Sequence, residues 1–159
     1  MNRNLIGYFK SWYVQIFFWC LLLDFVTKLL AASSQVNVTV IDGFFYLTYS
    51  RNTGAAWSIL SGNQWLLALI SLTVGIGLLT NYLKQFQSFA PWNHVAINLF
   101  LAGTWGNFID RAFYPEGVID FLSFHFGNYI FPTFNVADTV LTIGVITLVA
   151  TSIFERSTK

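Results

Sequence analysis

The stretch FPTFNVADTVLTIGVITLVATSIF, residues 131–154, decides the fold because it joins a membrane-length apolar run to a single charge. From Asn135 to Phe154 it supplies the roughly 20 mostly apolar residues that a helix needs to cross a bilayer. Its one charged residue, Asp138, lies at the start of this run. An ionisable group there is costly, so Asp138 either caps the helix or serves a function.

The composition of the whole chain is that of a membrane protein. Of its 159 residues, 55% are hydrophobic and only 9% are charged, whereas soluble domains carry about 25% charged residues. The net charge of +1 provides no basic surface, so no nucleic-acid partner is expected. One cysteine and two scattered histidines make no metal-ligand spacing, so no metal or other cofactor is expected. The length predicts one domain, residues 1–159.

Charged residues divide the chain into four candidate membrane spans. The spans cover residues 12–31, 65–83, 94–110 and 135–154. Asp24 and Lys28 interrupt the first span before any cleavage point of a signal peptide, so we expect this helix to be retained. The sequence therefore predicts an all-α membrane protein with four transmembrane helices.

The distribution of positive charge predicts the orientation of these spans. With four spans both termini share one side, and that side also holds Lys84, whereas Arg51 lies on the opposite side and Arg111 near it. The positive-inside rule then places both termini in the cytoplasm. Residues 32–63 and 111–134, called here the first and second outer segments, face outward.

The first outer segment is rich in β-forming residues. VNVTVIDGFFYLTYS, residues 36–50, contains Val, Thr, Phe and Tyr on both sides of Asp42-Gly43. An Asp-Gly pair between β-prone runs is typical of a hairpin turn. We therefore predict a small β-rich segment on the outer face of the membrane.

Two aspartates are predicted to meet at the outer membrane boundary. Asp120 follows the third span in GVIDFL, and Asp138 opens the fourth. Two carboxyl groups in a partly dehydrated site cannot both ionise cheaply, so one keeps its proton. Such a pair can perform general acid–base hydrolysis, in which the ionised carboxylate activates water and the protonated one polarises a carbonyl.

Other polar residues of the first and third spans are also expected to have specific partners or a common direction. Asp24 and Lys28, four residues apart on one helix, form either a self-neutralising pair or a link from the first span to an outer polar cluster. Asp110 is expected to form an ion pair with Arg111 at the end of the third span. Asn107 lies one helical turn before Arg111, so both face the same way, toward the bundle interior.

Two other classes of function remain open from the residues alone. A small transporter would use the intramembrane charges as a proton relay, although the acidic residues lie at one depth instead of stepping across the bilayer. A non-enzymatic scaffold would use the β-prone segment for binding, and Asp120 and Asp138 would then be dispensable together.

Five motifs in chain order resemble the bacterial lipoprotein signal peptidases, the signal peptidase II family of membrane aspartyl peptidases. They are DFVTK in the first span, NTGAAWSIL after the β-prone run, GTWGNFIDR at the end of the third span, GVIDF and FNVAD. Trp57 replaces the usual Phe of the second motif and is expected to narrow a lipid-side pocket. Thr104-Trp105 replace smaller residues of the third motif.

This resemblance implies a function and a set of site residues. It implies removal of signal peptides from prolipoproteins, by hydrolysis of the bond before a diacylglyceryl-modified cysteine, with Asp120 and Asp138 as the catalytic dyad. The implied substrate-binding residues are Asn52, Gly54, Asn107, Arg111 and Asn135, and the implied structural supports are Asp24 and Lys28. Gly54 either lets the backbone approach a peptide or simply forms a turn.

The resemblance also implies where the protein works and with what. The expected location is the bacterial cytoplasmic (inner) membrane, in a multi-pass arrangement with the active site near the outer face. The expected partners are lipid-modified prolipoproteins and membrane lipids, and a monomer is expected.

Overall fold

The computed structural model describes residues 7–9, 11–55 and 59–157, so Trp57 and its expected effect on a pocket lie outside the described residues. The elements in chain order are α1 (Tyr13–Ser34), β1 (Asn37–Ile41), β2 (Phe45–Asn52), α2 (Gln64–Gln85), a 3-10 turn (Phe86–Ser88), α3 (Pro91–Phe113), β3 (Val118–Phe126), β4 (Tyr129–Ile130) and α4 (Val136–Ser157). The four long helices coincide with the four predicted spans, with ends that differ by at most three residues.

Three of these helices can cross a membrane by length and composition. Within the described part of the chain they are Tyr13–Ser34, Gln64–Ser88 and Val136–Phe154. The sides of these helices that point away from the bundle expose large apolar side chains, among them Trp19 and Ile146. Such faces are stable where the surroundings are apolar as well. The chain is therefore a multi-pass membrane protein.

The helix α3 is more polar than the other three because it lies at the centre of the bundle. It packs against α1, α2 and α4. Its buried residues include Asn98 and Asn107, whose side-chain amides have hydrogen-bond partners inside the bundle that lipid would not offer. At 23 residues it is nevertheless the longest of the four helices.

Glycines allow α3 and α4 to approach closely. A Cβ atom added to Gly106 would lie 2.6 Å from Oδ2 of Asp24 and 3.0 Å from Cβ of Ala137. A Cβ atom added to Gly144 would lie 2.7 Å from the backbone nitrogen of Phe100. Real Cβ contacts are longer than this, so only glycine permits this packing. The result is that the start of α4 lies directly against α3 and α1.

A four-stranded antiparallel sheet with the order β1-β2-β3-β4 joins the two outer segments. Strands β1 and β2 form the predicted hairpin, with Gly43 at a positive φ of 71° in its turn. Strands β3 and β4 come from the second outer segment, for which no strand was predicted. The predicted class, all-α, therefore describes only the helical part of the protein. The start of β3 is buried without alternation, and a short apolar run of this kind does not distinguish strand from helix.

The pairing of β2 with β3 places Asp120 next to residues of β2. In the β2–β3 ladder Ser50 pairs with Asp120 and Asn52 pairs with Val118. The backbone carbonyl of Phe134 accepts the N–H groups of Phe121 at 3.0 Å and Leu122 at 2.9 Å. The chain entering α4 is thereby held against β3, which brings the N-terminus of α4 to Asp120.

Candidate active site

Asp120 is the most enclosed acid of the site. Its side chain projects from β3, and the residue is only 1% exposed. Oδ2 accepts a hydrogen bond of 3.1 Å from Nδ2 of Asn52, and Oδ1 accepts one of 2.7 Å from Nδ2 of Asn135. The first donor comes from the neighbouring strand and the second from the chain preceding α4, so two separate segments fix this carboxyl group.

Asn135 and Asp138 form a reciprocal cap at the N-terminus of α4. Oδ1 of Asn135 accepts the backbone N–H of Asp138 at 2.9 Å, and Oδ2 of Asp138 accepts the backbone N–H of Asn135 at 3.3 Å. This is the geometry of a capping box, which satisfies helix N–H groups that lack intrahelical partners. The cap also holds the carboxylate of Asp138 in a defined position.

Asn107 connects α3 to both of these residues. Its Nδ2 donates to Oδ1 of Asp138 at 2.7 Å, and its Oδ1 accepts from Nδ2 of Asn135 at 3.2 Å. Since Asn135 also donates to Asp120, the two aspartates belong to one continuous network of side-chain amides. An amide both donates and accepts, so it can relay such a network.

Asp24 and Lys28 form a buried cluster beneath this network. Nζ of Lys28 lies 2.8 Å from Oδ2 of Asp24 and 2.9 Å from Oδ2 of Asp110, and it donates to Oδ1 of Asn107 at 3.2 Å. Oδ1 of Asp24 accepts the backbone N–H of Ala137 at 2.8 Å. The helix-face ion pair of Asp24 and Lys28 thus also links α1 to α3 and α4.

Asp110 and Arg111 do not form the ion pair that was expected at the end of the third span. Among the described residues, the ion-pair partner of Asp110 is Lys28, because the carboxylate faces α1 inside the bundle. Arg111 instead donates from one terminal nitrogen to the backbone carbonyl of Gly54 at 3.3 Å. The N–H of Gly54 donates to Oδ1 of Asn52 at 2.9 Å, so Gly54 is part of a turn that Arg111 holds in place.

A cavity of about 790 Å³ opens beside the two aspartates. Asp120, Asp138, Asn52 and Arg111 line it. Its other lining residues are Ser50, Arg51, Thr53, Ala55, Ser61, Val118, Phe131, Pro132, Thr133, Phe134, Thr139, Leu141, Thr142 and Ile143. The cavity thus has two acids and two guanidinium groups on a largely apolar and hydroxylic wall, and its volume is typical of a ligand site.

Burial and charge change the acidity of Asp120. Dehydration on burial, followed by repulsion from the nearby charge of Asp138, raises the pKa of Asp120 to about 7. Hydrogen bonds from Asn52 and Asn135 to the ionised form, together with the positive charge of Lys28, act in the opposite direction but are smaller. A carboxyl group of this kind is still partly protonated at neutral pH.

The structure brings all nine predicted site residues into one connected region. Six line the cavity or hydrogen-bond to an aspartate, and Gly54 contacts two of these six, Asn52 and Arg111. Asp24 and Lys28 support them through Asn107 and the start of α4. Within the described ranges, no group of three His, Cys, Asp or Glu residues is arranged to hold a metal ion.

Arg51 and Ser50 are among the cavity residues that the sequence analysis missed. Arg51 lines the cavity and is held by Tyr49, whose hydroxyl accepts from Nε at 2.7 Å, and by the carbonyl of Gly117 at 2.9 Å. Its place directly before Asn52 in RNTGAAW was a usable signal. Ser50 donates to the backbone carbonyl of Asp120 at 3.2 Å, a contact that only the β2–β3 register reveals.

The sequence and the fold both match known proteins. The family described as Signal peptidase (SPase) II matches residues 16–154 of the chain. A lipoprotein signal peptidase of Bacillus pumilus is 45% identical over 139 residues, covering 86% of this chain and 88% of the relative. One of Listeria monocytogenes is 40% identical over 141 residues, covering 86% and 90%.

Solved structures share the architecture. A bacterial membrane enzyme determined by the in meso method at 2.3 Å resolution superposes with a TM-score of 0.84 at 37% identity, covering 92% of this chain and 90% of the other. A second, determined at 1.9 Å resolution, gives a TM-score of 0.76 at 37% identity, covering 87% and 90%. The chain therefore belongs to the signal peptidase II family and is an aspartic protease.

Proposed function

We propose that this protein removes signal peptides from prolipoproteins by hydrolysing the bond before the diacylglyceryl-modified cysteine, with Asp120 and Asp138 as its catalytic dyad. The coarser part of this proposal, lipoprotein signal peptidase activity, is supported by family membership. The observation that carries the dyad is that both carboxyl groups line one cavity and are joined through Asn135.

The different surroundings of the two acids support different roles. Asp120 is 1% exposed and its pKa is raised to about 7 by burial and by the charge of Asp138. Asp138 is only half-buried, lies in the first turn of α4, and accepts N–H groups of Asn107 and Asn135 with its two oxygens. Positive helix termini and N–H donors favour a carboxylate. We therefore assign Asp138 as the ionised general base and Asp120 as the protonated acid.

Hydrolysis by this pair returns both acids to their starting states. Asp138 takes a proton from water as the water oxygen attacks the carbonyl carbon of the peptide bond. At the same time Asp120 gives its proton to the carbonyl oxygen. In the second step the C–N bond breaks as Asp138 gives its proton to the leaving nitrogen, and Asp120 takes one back from a hydroxyl of the intermediate. Each proton transfer is of the general acid–base type.

The other cavity residues are suited to hold the substrate. Arg111 lines the cavity, and its guanidinium group carries a fork of N–H donors that can bind a peptide carbonyl. Asn52 can orient Asp120 or bind a backbone amide. The apolar side chains of Leu141 and Ile143 lie on the cavity wall, where we place the lipid part of the modified cysteine.

We place the protein in the bacterial cytoplasmic membrane as a single domain with four spans and both termini in the cytoplasm. The three apolar helices support the placement in a membrane. At 1.5 Å per residue α3 is about 34 Å long, which is enough for a fourth crossing. The position of positive residues supports the orientation, and the sheet and the cavity then lie at the outer face.

A gel-shift cleavage assay on a lipid-modified prolipoprotein in detergent tests the proposal. We expect D120N and D138N each to abolish cleavage while the thermal unfolding transition is retained, because each isosteric amide removes one proton-transfer group. Cleavage should persist in a metal chelator. Full activity of either variant would remove the dyad assignment, and loss of activity with the chelator would indicate a metalloenzyme.

A further inference from the structure

We propose that Lys28 is a positioning residue of the active site, which fixes the side-chain amide of Asn107 in the one orientation that donates to Asp138. The inference rests on the proposed function, since it concerns the carboxylate assigned there as general base. It gives Lys28 a role in catalysis in addition to its expected role as a structural support.

The contacts of Asn107 depend on which way its amide points. Oδ1 accepts from the Lys28 ammonium at 3.2 Å and from Nδ2 of Asn135 at 3.2 Å, and Nδ2 donates to the Asp138 carboxylate at 2.7 Å. A flipped amide would direct an NH2 group at the ammonium and an oxygen at the carboxylate. A lysine ammonium has three donors and no acceptor, and a carboxylate only accepts, so both contacts of the flipped amide would be repulsive.

The burial of Lys28 makes its preference for one orientation of the Asn107 amide strong. The residue is 2% exposed, and charge–dipole interactions weaken little where water is excluded. Its three N–H donors match three acceptors, on Asp24, Asp110 and Asn107. The two ion pairs hold the ammonium in place, so the third N–H points at a fixed place in α3.

A purely structural role for Lys28 would give a different pattern of activity among the variants. In that case Lys28 would serve only to neutralise Asp24 and Asp110, and its contact with Asn107 would be incidental. Removing one of these acids should then harm the enzyme as much as removing the lysine. If Lys28 acts through Asn107, loss of Asp110 leaves that contact in place, because Asp24 still holds the ammonium 2.8 Å away.

A double-mutant cycle in a D110N background separates these roles. The amide of D110N retains an oxygen for the N–H of Ile119, which Asp110 accepts at 3.3 Å. K28M/D110N removes one positive and one negative charge together. The four enzymes to compare are D110N, K28M/D110N, N107L/D110N and the triple variant, with kcat and KM measured by prolipoprotein cleavage and folding by thermal unfolding.

We expect D110N to keep kcat within about threefold of the wild type, and K28M/D110N and N107L/D110N each to lower kcat by about tenfold or more. KM should change less than kcat. The triple variant should be no more than about threefold slower than N107L/D110N, because residues that act in series are not additive. The proposal would be overturned if the losses in kcat of K28M/D110N and N107L/D110N multiplied in the triple variant. It would also be overturned if K28M/D110N had a normal kcat, or if D110N were as slow as K28M/D110N.

Asn107→Asp tests the same link with the lysine intact, so a folding failure of K28M/D110N does not end the test. The new carboxylate still accepts from Lys28 but has no donor for Asp138. We expect kcat to fall by about tenfold or more, and wild-type kcat would overturn the proposal. D138N/D110N serves as the control for the dyad: continued cleavage by this variant would refute the assignment of Asp138 to the dyad, whatever the lysine variants do.

Discussion

Asn135 donates its Nδ2 to Oδ1 of Asp120 at 2.7 Å. The same residue caps α4 with its other side-chain atom, since its Oδ1 accepts the backbone N–H of Asp138 at 2.9 Å. One buried asparagine therefore sets the start of a helix and the position of a carboxyl group on a strand.

These two tasks of Asn135 can be separated by substitution. Serine is as good a helix N-cap as asparagine but is too short to reach Asp120. We expect N135S to be more stable than N135L, because it keeps the cap, and to lower kcat by about tenfold or more relative to the wild type. N135L should lose the same activity and about 1 kcal/mol of stability as well. Equal stability of N135S and N135L would show that the cap contributes nothing.

The pH dependence of cleavage should report the proton on Asp120. Because burial and the charge of Asp138 raise the pKa of this carboxyl to about 7, kcat/KM should fall as the pH rises above about 7. Asn52 donates to the ionised form, so N52L should move this basic limb to higher pH. The measurement is kcat/KM across the acid to alkaline range for both enzymes, and an unchanged limb in N52L would contradict the assignment of Asp120 as the acid.

Stability should also depend on the ionisation of Asp120. In the unfolded chain the carboxyl loses its proton near its ordinary pKa of 3.8, whereas in the folded protein it keeps the proton up to about 7. The folded state binds more protons between these values, so this carboxyl makes the free energy of unfolding fall as the pH rises, by up to about 4 kcal/mol. D120N removes this term.

Thermal unfolding of wild type and D120N in detergent at about pH 4 and pH 8 checks this linkage. D120N should gain stability relative to the wild type as the pH rises. A difference between the two proteins that stays constant over this range would show that Asp120 ionises equally in the folded and unfolded states.

Packing of α3 against α4 should depend on Gly106. A methyl group there would meet Oδ2 of Asp24 at 2.6 Å and Cβ of Ala137 at 3.0 Å, and both neighbours are buried and held. We expect G106A to lower the free energy of unfolding by about 1–3 kcal/mol. Gly77 on α2 is the matched control, because nothing lies within 4 Å of its added Cβ atom. G77A should change stability by less than about 1 kcal/mol.

The helices could be predicted from the sequence because their signal is local. A run of apolar residues long enough to cross a bilayer needs no information from distant parts of the chain. The Asp42-Gly43 hairpin was predictable for the same reason, since the turn and its flanking β-prone residues are adjacent. Strand β3 was not predicted, because its apolar start is ambiguous until β2 pairs with it.

The sequence by itself determined the membrane class, the helix positions and the residue types able to perform acid–base chemistry. Only the tertiary structure decided which polar groups meet: Lys28 with Asp110 instead of Arg111 with Asp110, and Asn135 between two aspartates 18 positions apart in the chain. The physical reason is that hydrogen bonds and ion pairs act over a few ångströms. The local composition of the chain decides where the helices form. The close packing of α1, α3, α4 and β3 decides which polar groups come into contact.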